Sequence, residues 1–196
     1  MKRLSNLNIK SAMLLRTLPA IILVATIYAS FVPVQIQAFH YSGIHWNTDT
    51  VYFKVDIEMD QALIDGTLAA ADTWSNAGAN FSLDSYWVTN NDVTAYNFGV
   101  GYEHIIAQCW ISYSNFIISE ADFIFNTYHD FSWGSAYDTF DTETVALHEF
   151  GHWLMLNDLY DPADSGKVMY GYIALDQIKR DLHQDDIDGI IYIYGT

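Results

Sequence analysis

Thr50–Glu58 reads TVYFKVDIE, an alternation of apolar and polar side chains. A period of two sends successive side chains to opposite faces, so the stretch is expected to be a half-buried β-strand. The spacing then turns helical. Over Asp60–Gly78, Ala62, Leu63, Leu68, Ala69 and Trp74 approximate one apolar stripe, with Asp60 placed to cap the start and Gly78 to stop the end. Four short runs of strand length follow: Asn80–Val88, Thr94–Val100, Ile105–Tyr113 and Ala121–Asn126. Asp141–Leu156 returns to helical spacing, and Asp158–Tyr172 is a loop rich in Asp, Gly and Pro. The closing segment LHQDDIDGIIYIYGT sets Ile187, Ile190, Ile191 and Tyr194 one helical face apart. A strand, a helix, several strands and two helices make one α+β domain, with no repeats or low-complexity tracts.

The first residues follow a different pattern. Lys2, Arg3, Lys10 and Arg16 come early, and no residue from Thr17 to Phe39 is charged. A basic start followed by an apolar run matches a secretory leader, with Ala38 before the cut, although Ile36 fits poorly as the third residue upstream of it. The run is also long enough to span a bilayer as an uncleaved anchor. The division expected is therefore a signal peptide or signal anchor over 1–38 and the domain over 39–196. Either case exports the domain, as a secreted protein or one anchored at the outer face of the membrane. Membrane contact is expected only if the leader stays uncut.

Charge sharpens this picture. All 24 Asp and Glu lie beyond residue 38, against Lys54, Lys167, Lys179 and Arg180, a net of −20 for that part. Nucleic acid is an unsuitable partner, because binding it needs clustered cations to neutralise phosphates. The single cysteine, Cys109, excludes an intramolecular disulfide and a Cys-rich metal site; it reads as a small buried hydrophobe.

The chemistry centres on TVALHEFGHWLMLNDLYDPADSGKVMYGY. On a helix His148 and His152 stand one turn apart on one face, so both imidazoles can reach one ion. Glu149 is displaced round the helix and can address a water instead of the metal. Catalytic zinc is usually held by three protein ligands. A downstream glutamate cannot supply the third, because none follows Glu149. In the longer H-E-x-x-H-x-x-G-x-x-H pattern the last position falls on Asp158, and Met169 lies where the associated methionine turn belongs. Met155 takes the slot of the glycine, which normally leaves the helix at positive φ. Asn157 accepts that conformation more readily, so the turn can be displaced to it. If Asp158 then points away, Asp161 or Asp164 would substitute.

HEFGHWLMLND, VMYGY and LHQDDIDGIIYIYG together resemble the matrixin-like metzincin zinc peptidases, and a looser likeness covers roughly residues 45–196. The resemblance implies a twisted mixed sheet with an active-site helix, a Met-turn and a C-terminal helix. It implies a zinc-dependent endopeptidase acting on protein or peptide substrates, with Zn2+ on His148, His152 and Asp158 and Glu149 as general base. Met169 would form an apolar floor under the metal, and Tyr170 to Tyr172 would border the pocket for the side chain after the cut bond. Substrate would lie along a sheet edge near Ile105–Tyr113. Asp186 would brace the methionine turn, and Asp185 could receive a freed N-terminal ammonium. The usual matrixin has histidine where Asp158 stands. The family's inhibitory propeptide cysteine has no counterpart here, so the exported protein is expected to be active as made or controlled by something else in trans. His104 and His129 read as structural. The competing expectation is a binding protein with this fold and no turnover, motivated by Met155 and the aspartate.

Overall fold

The computed structural model describes residues 41–134 and 137–196; the leader, with Ala38 and Phe39, lies outside them. β1 (Thr50–Val55) buries Val51 and Phe53 and exposes Tyr52, as a strand covered on one face must. It stops short of Glu58 because Asp56 turns the chain: its carbonyl accepts from Met59 N–H and its carboxylate from Glu58 N–H. α1 (Gln61–Ser75) begins at Asp60, whose side chain accepts the Ala62 N–H and satisfies an otherwise orphaned donor.

Four further strands complete the main sheet: β2 (Ser82–Ser85), β3 (Asp92–Tyr96), β4 (Ala107–Ser114) and β5 (Ile117–Asn126). Their order is β2-β1-β3-β5-β4. Neighbours run parallel except β4, which is antiparallel to β5 and forms one edge. The sheet is therefore mixed, as expected, but strand limits differ from the sequence reading. β3 ends at Tyr96 because Gly99 and Gly101 take positive φ in the loop that follows. β5 starts at Ile117, earlier than Ala121, because Asn115 and Phe116 make a tight hairpin with both residues at positive φ. A Phe at such a position gives no turn signal in the sequence.

Two very short strands, β6 (Phe131–Ser132) and β7 (Phe140–Asp141), pair in parallel and lead into α2 (Thr142–Trp153). α2 buries Ala146, Leu147, Phe150 and Trp153 completely under the sheet. The Phe150 ring lies 5.1 Å from each of Phe53, Phe123 and Trp153, so β1, β5 and α2 meet in one aromatic cluster. α1 packs beside α2 at Gly66, where a Cβ would stand 2.7 Å from the Thr142 side chain. The indole N–H of Trp74 reaches the Leu147 carbonyl at 2.9 Å, and that of Trp46 reaches the Trp153 carbonyl at 2.8 Å. These contacts fix the side and depth at which α2 presents its remaining face.

The other end of α2 is held by charge. Asp141 caps the helix through the Thr144 N–H and is gripped by Arg180, which also reaches Glu143 at 3.2 Å. A single 3-10 turn covers Pro162–Asp164, and α3 (Gln184–Tyr194) closes the chain behind a capping box of His183 and Asp186. Among the described residues no helix is long and apolar enough to cross a membrane.

Candidate metal centre

The α2 face left uncovered by the sheet carries His148 and His152, with ring centroids 4.7 Å apart and planes at 85°. Each Nδ1 lies 2.9 Å from a backbone carbonyl, Val168 for His148 and Leu156 for His152. A carbonyl can only accept, so Nδ1 carries a proton in each ring, and in the neutral form Nε2 is the atom with a lone pair to offer a metal. Asp158 Oδ1 stands 3.0 Å from His148 Nε2 and 3.6 Å from His152 Nε2. Donors around a tetrahedral zinc at about 2.0–2.1 Å lie about 3.3 Å apart, so both of these separations suit that ion. It is the one group of three such side chains converging within 4.8 Å among the described residues.

Asp158 arrives there through Met155. Met155 adopts φ 65°, so the turn stays at the glycine slot and is not displaced to Asn157. The Met155 N–H donates to the His152 carbonyl and the Leu156 N–H to the Gly151 carbonyl, the paired bonds of a Schellman ending. That ending also shortens the helix to Trp153, ahead of the expected Leu156. The chain then crosses the methionine segment: Leu159 N–H donates to the Met169 carbonyl at 2.8 Å and Gly171 N–H to the Leu159 carbonyl at 2.9 Å. Tyr160 O–H donates to Asp158 Oδ2 at 3.0 Å, which leaves Oδ1 for the histidines. The alternatives are engaged elsewhere, Asp161 capping the 3-10 turn and Asp164 pairing with Lys167.

Met169 is buried, and its sulfur passes so near Gly151 that a Cβ there would lie 2.2 Å away. Asp186 accepts the Val168 N–H at 3.1 Å, within the bracing expected of it. The Asp185 carboxylate holds the Lys167 ammonium at 2.8 Å, and the chain terminus expected to reach it lies outside the described residues. His129 packs edge-on between Tyr128 and Phe140, in keeping with a structural role, whereas His104 is exposed at the cleft margin.

A cleft of about 700 Å3 runs between α2 and β4. Its walls include Glu149, His148, His152, Asp158, Tyr170 and Tyr172, so the expected base, the expected ligands and the expected pocket residues all meet it, while Met169 lies outside the lining. Glu149 is 6% exposed and makes no side-chain hydrogen bond within the described residues. Burial raises it to about 7, with His148 opposing and Asp158 adding. Burial and the neighbouring His148 lower His152 to about 4. Asp158 is held at about 2: burial opposes this, but the hydrogen bond and charge of a protonated His148 and the charge of a protonated His152 outweigh it. Cys109 is half-buried in the β4 wall, and burial pushes its thiol up, so it is part of the lining and not wholly core.

Sequence reasoning missed Tyr160, the Val168 and Leu156 carbonyls, and Lys179. Tyr160 stands two residues after Asp158, a spacing that allows the bond it makes. Leu156 is only four residues beyond His152, but its carbonyl is aimed by the turn at Met155, and the Val168 carbonyl and Lys179 come from segments twenty or more residues away. Parts of the chain are similar to known proteins. Matrix metalloproteinase-27 of Tupaia belangeri is 42% identical over 66 residues, 34% of this chain and 12% of that protein. Metalloendoproteinase 1 of Glycine max is 46% identical over 56 residues, 29% of this chain and 17% of its own length. Metalloendoproteinase 2-MMP of Arabidopsis thaliana is 41% identical over 56 residues, 14% of its length. These matches span less than a fifth of each relative. The matrixin family model, by contrast, matches residues 49–195, from β1 through the histidine pair and the methionine turn to the end of α3, and on that extent the chain belongs to the matrixins, metzincin-type proteins of α+β fold.

Proposed function

We propose that the protein is a zinc-dependent endopeptidase that hydrolyses peptide bonds of extracellular proteins. The observation that carries this reading is Glu149: a nearly buried carboxylate without a hydrogen-bond partner, beside three converging donors and facing an open cleft. No packing or capping role accounts for it, which favours turnover over the binding-protein reading.

His148, His152 and Asp158 would hold zinc, with Glu149 as base, Met169 as an apolar support and Tyr170 and Tyr172 at the pocket margin. Bound zinc supplies Lewis acidity toward a water and the scissile carbonyl. Glu149 accepts a proton from the attacking water at its carboxylate as the water oxygen bonds to the carbonyl carbon. It then delivers that proton to the amide nitrogen, the carbon–nitrogen bond breaks, and a carboxylic acid and an amine leave. The free edge of β4 supports strand-like binding of an extended substrate, whose backbone can pair with it as a further strand. Residues 1–38 would direct export, and 39–196 would be the catalytic unit.

The test measures zinc content and hydrolysis of an unfolded protein for the wild type and Glu149→Ala. About one zinc in both, with cleavage only by the wild type, is the expected outcome. Zinc in both and cleavage by neither would favour the binding-protein reading.

A further inference from the structure

Beyond residue 38 the chain has only four cations, and three are paired. Lys54 meets Asp92 at 2.9 Å, Lys167 meets Asp164 and Asp185 at 2.8 Å each, and Arg180 is held by Asp141 and Glu143. Among the described residues no ion pair joins Lys179 to a carboxylate, although acids outnumber cations sixfold in this part of the chain.

Lys179 is also the only Lys or Arg in the wall of the cleft. Its backbone N–H donates to Thr144 Oγ1 at 2.8 Å. Thr144 precedes His148 by one helical turn, about 5.4 Å along α2. The ammonium lies 5.1 Å from the Tyr170 ring centroid and makes one long contact, 3.5 Å, to the Lys167 carbonyl. Burial lowers its pKa, and the more distant Asp186 is the one charge that opposes this. A half-buried ammonium held against an aromatic ring retains unused donors, and Lys179 lines the cleft.

Resting on the peptidase reading above, we propose that Lys179 determines specificity by selecting a substrate whose side chain immediately after the cut bond carries a carboxylate, Asp or Glu. Tyr170 borders that position, and Lys179 lies against it. The carboxylate would complete the one ion pair the fold leaves open. The acidic body weakens capture of every acidic peptide, but this field is screened within about 8 Å at physiological ionic strength. Selection is therefore read as a ratio between matched peptides.

The experiment uses the zinc-loaded full chain and a peptide set differing only in the residue after the cut: Glu, Gln or Leu, each with free or amidated C-terminus. The Glu peptide is expected to show kcat/KM about tenfold above Gln and Leu, a ratio typical of one charged hydrogen bond. Lys179→Met should abolish the ratio at unchanged zinc content, and Lys179→Arg should retain it. A Leu preference, or a Glu preference that survives Lys179→Met, overturns the proposal. A preference that needs the free C-terminus also overturns it, because the carboxylate selected is then the chain end. If no peptide is cut, binding of the same peptides to Glu149→Ala is measured by fluorescence anisotropy. Lys179-dependent, about tenfold tighter binding of the Glu peptide would sustain recognition of an acidic side chain by Lys179 while the peptidase reading fell. Equal binding would remove both.

Discussion

The N–H of Val168 donates to Oδ2 of Asp186 at 3.1 Å, and the carbonyl of the same Val168 accepts from His148 Nδ1 at 2.9 Å. One peptide segment thus links the buried start of α3 to a proposed metal ligand. Asp186 also accepts the His183 N–H at 2.9 Å, so removing it strands buried donors. Asp186→Ala is expected to cost about 3 kcal/mol by denaturant unfolding. It should also weaken zinc roughly tenfold, because the His148 ring loses its fixed orientation. Unchanged affinity in a chelator competition would mean that Val168 is held without Asp186.

Met155 bears the left-handed conformation that lets Asp158 swing back to the histidines. Met155→Gly should relieve about 1 kcal/mol of backbone strain. In a domain of this size that raises Tm by about 2–4 °C, read by thermal melting. Met155→Ile should do the reverse, since a β-branched side chain tolerates this conformation least.

Asp158 divides its oxygens between Tyr160 and the histidines. Asp158→Ala is expected to reduce zinc affinity by more than the roughly 10–100-fold that a supporting residue costs. Tyr160→Phe should fall within that smaller range and leave the metal bound. Equal losses for the two variants, measured by chelator competition, would argue against Asp158 as a ligand.

Gly151 lies where the Met169 sulfur crosses α2. Gly151→Ala is expected to destabilise by about 1–3 kcal/mol through overpacking, despite alanine's better helix propensity. Paired with Met169→Ala, the penalty of Gly151→Ala should shrink, and a double-mutant cycle measures by how much.

Burial raises the Cys109 thiol pKa, so the reactive thiolate is scarce at pH 8. Native protein should react with a disulfide reagent at least about tenfold more slowly than urea-unfolded protein, and faster as pH rises. Equal rates would place Cys109 outside the cleft wall.

The histidine pair, Glu149 between them and the helix that carries them were legible from spacing alone, because a period of 3.6 is set by contiguous residues. Asp60 as a cap, the alternation of β1 and the apolar stripe of α3 were legible for the same reason. Asp158 and Met169 could be located by counting, although counting could not decide whether Met155 or Asn157 would take the turn. Bonds from Met155 and Leu156 back to His152 and Gly151, with Leu156 buried, hold that turn at Met155. The order β2-β1-β3-β5-β4, which leaves β4 free, depends on pairing strands far apart in the chain. The same holds for the carbonyl that orients His148, twenty residues away, and for Lys179, delivered to the cleft by its bond to Thr144. Short-range periodicity therefore determined which side chains could do the chemistry. Long-range packing decided where they point and what else stands beside them, since those positions follow from contacts that no local pattern encodes.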